Sequence, residues 1–115
     1  MKTLLTVQES KELINLGISD IHASFANESN ESIANGTHKW DSVFTLTDLL
    51  NLMPKEIDNK NYFLGIIGGE LGYDIVYFSY SLSDDTIHAG VGVELIDALY
   101  KALKHLIKNN YIKLD

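Results

Sequence analysis

Two stretches of sequence decide the fold of this chain. They are NYFLGIIGGELGYDIVYFSYSL at positions 61–82 and VELIDALYKALKHLIKN at positions 93–109. Residues 62–67 are almost continuously apolar, and residues 73–82 alternate between two faces, as a β-strand does. The glycines between them supply the positive φ angles that a tight reversal requires. The two stretches therefore predict an antiparallel strand pair that is followed by a helix.

The segment at 93–109 has the pattern of an amphipathic helix. Glu94 and Asp97 lie in its first turns and Lys101, Lys104 and Lys108 in its later turns, which complements the helix dipole. Its apolar residues recur at helical spacing and form one wide stripe: Leu95, Ile96, Leu99, Ala102, Leu103, Leu106 and Ile107. We expect this stripe to cover the strand pair.

A capping signal predicts a helix near the start of the chain. Thr6 and Glu9 have the spacing of a capping box, in which each side chain binds the backbone N–H of the other residue. The helix that they open should run over residues 7–16 and end at Gly17, which can adopt a left-handed conformation. Ile18 then follows at the position that contacts the last helical turn.

A second capping signal predicts a helix in the middle of the chain. Thr45 is a good N-cap, and Asp48 lies three residues later, where a carboxylate favours the helix dipole. Pro54 should end this helix, because the residue before a proline is pushed out of the helical region. Its buried stripe is Leu46, Leu49, Leu50 and Met53.

Four other segments have weaker patterns. Residues 20–25 predict a short turn or helix, with two apolar residues four positions apart on one face. Residues 27–38 are polar and without periodicity, so they predict a surface loop. Residues 40–44 and 86–89 predict two further short strands. The length of 115 residues predicts a single domain, residues 1–115.

The predicted fold class is therefore α+β, with a small antiparallel sheet of two to four strands that is packed by helices. The long C-terminal helix is its dominant helix. The predicted core consists of Leu13, Leu16, Leu46, Leu49, Leu50, Leu64, Ile66, Ile75, Phe78, Leu95, Leu99, Leu103 and Leu106.

The composition excludes some classes of function. The formal net charge is −7, and all nine basic residues are lysines. A chain without arginine lacks the planar fork that reads guanine and clamps phosphates, and an acidic surface repels a polyanion. Nucleic-acid binding is therefore disfavoured, although four lysines (Lys101, Lys104, Lys108 and Lys113) cluster late in the chain.

Cysteine is absent, which excludes disulfides, thiol nucleophiles and cysteine-ligated zinc. The first residues lack the apolar region of a signal peptide, and no apolar run approaches the roughly 20 residues that a membrane span needs. We expect a cytoplasmic protein that does not enter a membrane.

Two segments carry a resemblance to a known family. FTLTDLLNLMPKEI at positions 44–57 and ELIDALYKALKHLIKNNYI at positions 94–112 resemble a group of small uncharacterised proteins that gut Bacteroidetes, their phages and their mobile elements encode. The capped helix that ends in a proline, the strand pair and the last helix come in the same order there. The resemblance covers less than half of the chain. It implies a genomic setting but no activity and no site.

No catalytic, cofactor or metal signature stands out. Gly90 and Gly92 precede a helix, but a dinucleotide fingerprint needs a third glycine where Leu95 lies, so a flexible entry to the helix is the better interpretation. The neighbours Asp20, His22 and Ser24 include the residue types of a hydrolase triad, without a nucleophile elbow. The four histidines, His22, His38, His88 and His105, share no metal-ligand spacing. We therefore expect no enzyme, no cofactor and no metal.

The tyrosines are the residues that point most strongly to a function. Tyr62, Tyr73, Tyr77 and Tyr80 fall on or beside the two predicted strands, where their rings either cover the rim of the core or form a surface for a partner. The functional interpretation is a non-enzymatic protein-interaction module that binds a protein partner or associates with itself, for example as a homodimer.

Two alternatives from other classes stay open. One is a small enzyme or ligand-binding protein with a pocket between the sheet and the helices, which would use Asp74, Tyr77, His88 or Glu94. The other is a structural or assembly subunit, for which oligomerisation that depends on concentration would be the test.

Overall fold

The computed structural model describes residues 1–28, 36, 40–81 and 85–112. The helices of this part of the chain are α1 (Val7–Asn15), α2 (Leu46–Leu52) and α3 (Leu95–Lys108). Its strands are β1 (Phe25–Glu28), β2 (Trp40–Val43), β3 (Glu56–Ile57), β4 (Tyr62–Gly69), β5 (Gly72–Ser79) and β6 (Thr86–Gly92). The predicted α+β class is confirmed.

The strands form two antiparallel sheets. β1 pairs with β2, and the larger sheet has the order β3-β4-β5-β6. In the central hairpin Ile66 lies opposite Ile75 and Gly69 opposite Gly72, so the reversal falls at residues 70 and 71. The predicted hairpin is present, but its turn is shorter than the predicted one at residues 68–70, because Gly68 and Gly69 still belong to β4. The chain order of the four strands is also their order in the sheet, because each connection is a short hairpin.

Helix α3 lies on one face of the larger sheet, as the amphipathic pattern predicts. The approach is close because β6 has glycines where it meets the helix. A Cβ atom on Gly90 would lie against the Ala98 carbonyl oxygen and 2.6 Å from the Ala102 backbone nitrogen. The interpretation of residues 90–92 as a flexible entry to the helix is therefore wrong. They are the end of a strand, and the missing side chains let the helix backbone approach.

The core lies around α3, between the sheet on one side and α1 and α2 on the other. Six of the predicted core residues are buried: Leu13, Leu49, Ile75, Leu99, Leu103 and Leu106. Leu46, Leu64 and Leu95 are half-buried and pack against this core, whereas Leu16 and Phe78 are half-buried without belonging to it.

Four of the core predictions are therefore wrong: Leu16 and Phe78 lie outside the core, and Leu50 and Ile66 are exposed. Leu50 is 39% exposed, because the buried side of the short helix α2 is formed by Leu49 and by Met53 just after it. Ile66 is 40% exposed although it shares a sheet face with the buried Ile75, because no helix of the described part of the chain reaches this end of β4.

The predicted start and end of α1 are confirmed. The Thr6 side chain accepts a hydrogen bond from the Glu9 backbone N–H at 3.1 Å, and the Glu9 carboxylate accepts one from the Thr6 N–H at 2.9 Å. Gly17 has a φ of +114°, and the N–H of Ile18 donates to the Leu13 carbonyl oxygen at 3.1 Å. This is the Schellman ending that the position of Gly17 predicts.

The predicted cap of α2 is also confirmed, and it has a second role. Asp48 is almost fully buried, and one of its carboxylate oxygens accepts hydrogen bonds from the backbone N–H groups of Thr45 and Ser24, both at 2.8 Å. The other oxygen accepts a hydrogen bond from the Ser24 hydroxyl. The cap therefore also holds the segment that leads into β1 against α2.

Asp48 should make stability depend on pH. Burial raises the pKa of Asp48, but the hydrogen bonds from Ser24 and Thr45 together outweigh it and hold that pKa below its usual value. A lowered folded-state pKa stabilises the protein above the unfolded-state pKa of about 3.9, and this contribution is lost as the pH falls through the folded-state value. We expect Asp48→Asn to lower the free energy of unfolding by about 2 kcal/mol at neutral pH.

The measurement is urea unfolding of the protein and of Asp48→Asn from neutral pH to about pH 3. The other carboxyl groups titrate in both proteins, so the difference between the two curves isolates Asp48. This difference should shrink once the pH is below about 4. A difference that stays constant over the whole range would show that the charge of Asp48 is not what stabilises the fold.

The region between α1 and α2 differs from the prediction in part. Residues 20–25 do not form one helix. A short 3-10 turn covers Asp20–His22, and Phe25 already belongs to β1. β1 pairs with β2, Trp40–Val43, which lies within the strand predicted at residues 40–44. Ile21 is 82% exposed, so it adds nothing to the core. Of the predicted loop at 27–38, residues 27 and 28 end β1, and most of the remainder lies outside the described residues.

Among the described residues, no helix has both the length and the apolar composition that a membrane span requires.

Candidate functional site

The four predicted partner-surface tyrosines do not share a surface. Tyr77 is fully buried on the sheet face that α3 covers, and its hydroxyl donates a hydrogen bond to the Pro54 carbonyl oxygen at 2.7 Å. Burial raises the pKa of the Tyr77 hydroxyl. Tyr77 is therefore a core residue, and the prediction that it belongs to a partner surface is wrong. The alternation along β5 shows that residues 73, 75 and 77 share a face, but it does not show which face is covered.

The other three tyrosines lie on opposite sides of the larger sheet. Tyr62 and Tyr73 are half-buried on the same face as Tyr77 and pack against the core. Tyr80 is 59% exposed, and its ring centroid lies 4.7 Å from that of Phe63, on the face away from α3. Of the predicted set, Tyr80 alone presents most of its side chain to solvent.

The sheet face away from α3, which we call the open face, is largely apolar. Its aromatic part is Phe63, Phe78 and Tyr80, and the Phe78 ring lies over Gly65, where a Cβ atom would clash with it. Ile67, Asp74 and Val91 form a row across three strands of this face. Ile67 is 50% exposed and Val91 59% exposed, so this row is accessible.

One polar pair, His88 and Asp74, lies in this apolar surface. The Nδ1 atom of His88 is 3.4 Å from Oδ2 of Asp74, and the side chain of His88 is largely exposed. Oδ1 of Asp74 is buried without a hydrogen-bond partner among the residues that the structure describes. The pair therefore leaves part of the carboxylate unsatisfied.

The residues of the alternative pocket do not converge. Asp74 and His88 lie on the open face, and Tyr77 points into the core on the opposite face. Glu94 is the N-cap residue of α3, where its carboxylate accepts a hydrogen bond from the Lys2 backbone N–H at 3.3 Å. These side chains do not line one cavity between the sheet and the helices.

The other candidate groups have structural partners. The Ser24 hydroxyl donates to Asp48, and no hydrogen bond between it and His22 is seen in the described residues. Lys104 binds Glu12 at 3.1 Å, which ties α3 to α1, and it also lies over the Tyr100 ring. Within residues 1–28, 36, 40–81 and 85–112, no three His, Asp or Glu side chains are grouped as metal ligands would be.

Five exposed apolar side chains gather at one end of the larger sheet, around the β4–β5 turn and the end of β6. We call this group the apolar tip: Ile66, Ile67, Leu71, Val91 and Val93, with exposed fractions of 40%, 50%, 94%, 59% and 78%. Ile67 and Val91 lie on the open face, Ile66 lies on the α3 face opposite Ile75, and the backbone of Val93 lies against Gly72. Such a concentration of apolar surface typically marks a binding site.

A shallow depression of about 530 Å³ lies at the apolar tip. Its lining consists of Ile67, Gly68, Gly69, Glu70, Leu71, Gly72, Tyr73, Asp74 and Val91. Glu70 and Asp74 are its only charged residues, and both are acidic. Its volume is that of a small-ligand site or of a few partner side chains, and its lining is mostly apolar.

One edge of the sheet is also uncovered at this end. β3 has two residues and β4 has eight, and β3 pairs with β4 only at Tyr62 and Phe63. One further backbone hydrogen bond joins Leu64 N–H to the Lys55 carbonyl oxygen at 2.8 Å. Residues 65–69, which we call the free β4 edge, have no neighbouring strand on this side in the described part of the chain.

Sequence reasoning missed the apolar tip because its residues have patterns of other structures. Ile66 has the sequence pattern of a core residue. Leu71 lies in a glycine-rich turn, where a single apolar residue does not by itself indicate a binding surface. The signal that was available is the combination of Leu71 in the turn with two isoleucines just before it, which puts three large apolar residues at a hairpin end.

Compared with models of protein families, with curated proteins and with solved structures, the chain matched none of them.

Proposed function

We propose that this chain is a non-enzymatic protein-interaction module whose partner binds at the apolar tip. The observation that carries the proposal is the gathering of Ile66, Ile67, Leu71, Val91 and Val93 at one end of the sheet. Burial of such surface contributes about 25 cal/mol per Å², so these side chains favour association with another apolar surface. The depression beside them offers a place for the side chains of a partner.

The charge of the chain supports a protein partner rather than a nucleic acid. The net charge of −7 and the absence of arginine oppose binding to a polyanion, and the acids at the depression add to that repulsion locally. The resemblance to proteins of gut Bacteroidetes and their phages supports a role as an accessory protein of a phage or mobile element.

The test is a pull-down from a native-host lysate with the tagged protein, read out by mass spectrometry. A double variant, Leu71→Ser with Val91→Ser, removes two exposed side chains of the apolar tip. The matched control is Ile21→Ser, which removes an exposed apolar side chain that is not part of the apolar tip. Ile21 is 82% exposed and Leu71 is 94% exposed.

We expect the tip variant to recover a given partner at least tenfold less than the unchanged protein, since truncating a hot-spot residue at the centre of an interface costs about 2 kcal/mol or more. The control should recover the same partner normally. All three proteins should unfold at similar urea concentrations, because exposed substitutions change stability by less than about 0.5 kcal/mol. Equal recovery by the tip variant would contradict the proposed site.

A further inference from the structure

The orientation of the backbone along the free β4 edge follows from a single hydrogen bond. The N–H of Leu64 donates to Lys55 on the β3 side, and backbone groups of an antiparallel strand alternate between its two sides. The N–H and C=O groups of Ile66 and Gly68 therefore point away from β5. In the described residues they have no backbone partner, so a further strand could bind there.

This edge lacks the features that normally protect a strand edge. Residues 65–69 have the sequence Gly-Ile-Ile-Gly-Gly, without a charge, a proline or a register shift in their pairing with β5. Exposed apolar edges without these features pair readily with other chains. The opposite edge, β6, is different, because its pairing with β5 contains an irregularity between Ile75 and Val76.

The depression lies where the side chains of an added strand would point. Ile67 belongs to the open face, and a residue paired beside it would place its side chain next to the row formed by Ile67, Asp74 and Val91. Strand addition obtains affinity from main-chain hydrogen bonds and specificity from pockets for alternate side chains. The free β4 edge and the depression at the apolar tip provide these two elements together.

The acidic residues at the depression indicate that the added strand carries a basic side chain. Glu70 and Asp74 are the charged residues at the depression, and the chain as a whole is strongly acidic. A basic side chain at the end of the added strand nearest Glu70 would be attracted to both carboxylates. An acidic side chain in the same place would be repelled.

A second copy of this chain fits the edge less well. Stable interfaces bury about 800 Å² and involve roughly 20 to 30 residues on each partner. The free β4 edge offers five residues, and the second copy would also bring a net charge of −7. A short extended peptide needs neither a large area nor a matching surface.

We infer that the partner binds through an extended segment that pairs with residues 65–69 of β4, places alternate apolar side chains on the open face, and carries a lysine or arginine at the end near Glu70. This inference rests on the proposed function and specifies the chemistry of the partner.

The first experiment selects ligands from a displayed library of random ten-residue peptides on the purified full chain. We expect enriched peptides to have apolar residues at every second position and a basic residue near one end. Enrichment of peptides with helical spacing, at positions i, i+3 and i+4, would overturn the strand inference and leave the interaction module standing.

The second experiment measures the affinity of the most enriched peptide for two variants by fluorescence anisotropy. Ile66→Pro removes the outward N–H without touching the hydrogen bonds between β4 and β5, since proline is tolerated at such edge positions. Ile66→Val keeps the N–H and is the matched control. We expect at least a tenfold loss for the proline variant and less than a threefold loss for the valine variant.

Further variants keep the result interpretable if Ile66→Pro does not fold. The double change Glu70→Gln and Asp74→Asn should weaken the basic peptide at least fivefold and leave a peptide with glutamine in place of its basic residue unaffected. Equal losses for both peptides would overturn the charge assignment. A library without any enriched peptide, while the lysate partner is still lost on the tip substitutions, would overturn strand addition alone. If the tip substitutions also have no effect, the proposed function fails as well.

Discussion

Replacing Gly90 with alanine should lower the free energy of unfolding by about 3 kcal/mol, which is the upper end of the usual effect of overpacking a core. The new Cβ atom would lie against the Ala98 carbonyl oxygen and 2.6 Å from the Ala102 backbone nitrogen. Both belong to the backbone of α3, which cannot yield as a flexible side chain would. To accommodate the methyl group, the helix would have to move away from β6 and lose its packing. Urea unfolding followed by circular dichroism measures the change.

The matched control is Gly69→Ala, in the same sheet. A Cβ atom on Gly69 would meet nothing within 4 Å, and its φ is not positive. We expect this variant to be unchanged in stability or more stable by up to about 1 kcal/mol, since alanine restricts the unfolded chain more than glycine does. If both variants were equally stable, the close approach of α3 to β6 would be wrong.

Replacing Tyr77 with alanine should lower the free energy of unfolding by about 4 kcal/mol, the usual effect of removing a buried aromatic ring. Tyr77 is fully buried under α3, and its hydroxyl also satisfies the Pro54 carbonyl oxygen. Tyr77→Phe should lose about 1 kcal/mol, because it keeps the ring and removes only that hydrogen bond. Thermal and urea unfolding of both variants would separate the packing of the ring from the hydrogen bond.

Tyr80→Ala is the control for this prediction. Tyr80 is 59% exposed and contacts Phe63 at the edge of the open face, so we expect a loss below about 1 kcal/mol. The contrast matters for binding studies: a partner lost on Tyr77→Ala would report an unfolded protein, not a missing contact. A stability loss of equal size in the two variants would contradict the assignment of Tyr77 to the core.

The local elements were predictable because their signals are local. The capping pairs Thr6 with Glu9 and Thr45 with Asp48 each lie three residues apart, and the glycine that ends α1 needs only its own backbone conformation. The same holds for the β4–β5 hairpin and the apolar stripe of α3. These features depend on neighbours in the sequence, which a single sequence contains in full.

The candidate site was not predictable in the same way, because it depends on where elements end relative to one another. Alternation along β5 separates Tyr77 from Asp74, but only the position of α3 decides which of them is buried. Ile66 has the pattern of a core residue and becomes exposed because α3 does not extend over it. Gly90 has the pattern of a flexible entry to a helix, although it lies in a strand and lets the helix approach that strand. Each of these outcomes is set by contacts between distant parts of the chain.

The place of α3 in the chain has a consequence for biosynthesis. This helix follows every other described element, yet it joins the two sides of the core, with the sheet on one side and α1 and α2 on the other. A ribosome adds roughly 5–20 residues per second. Until α3 has been synthesised, the apolar surfaces of the sheet and of α1 and α2 that pack against it remain exposed to water. We expect the nascent chain to depend on chaperones until α3 emerges, and messages truncated before Leu95 to yield products that proteases remove.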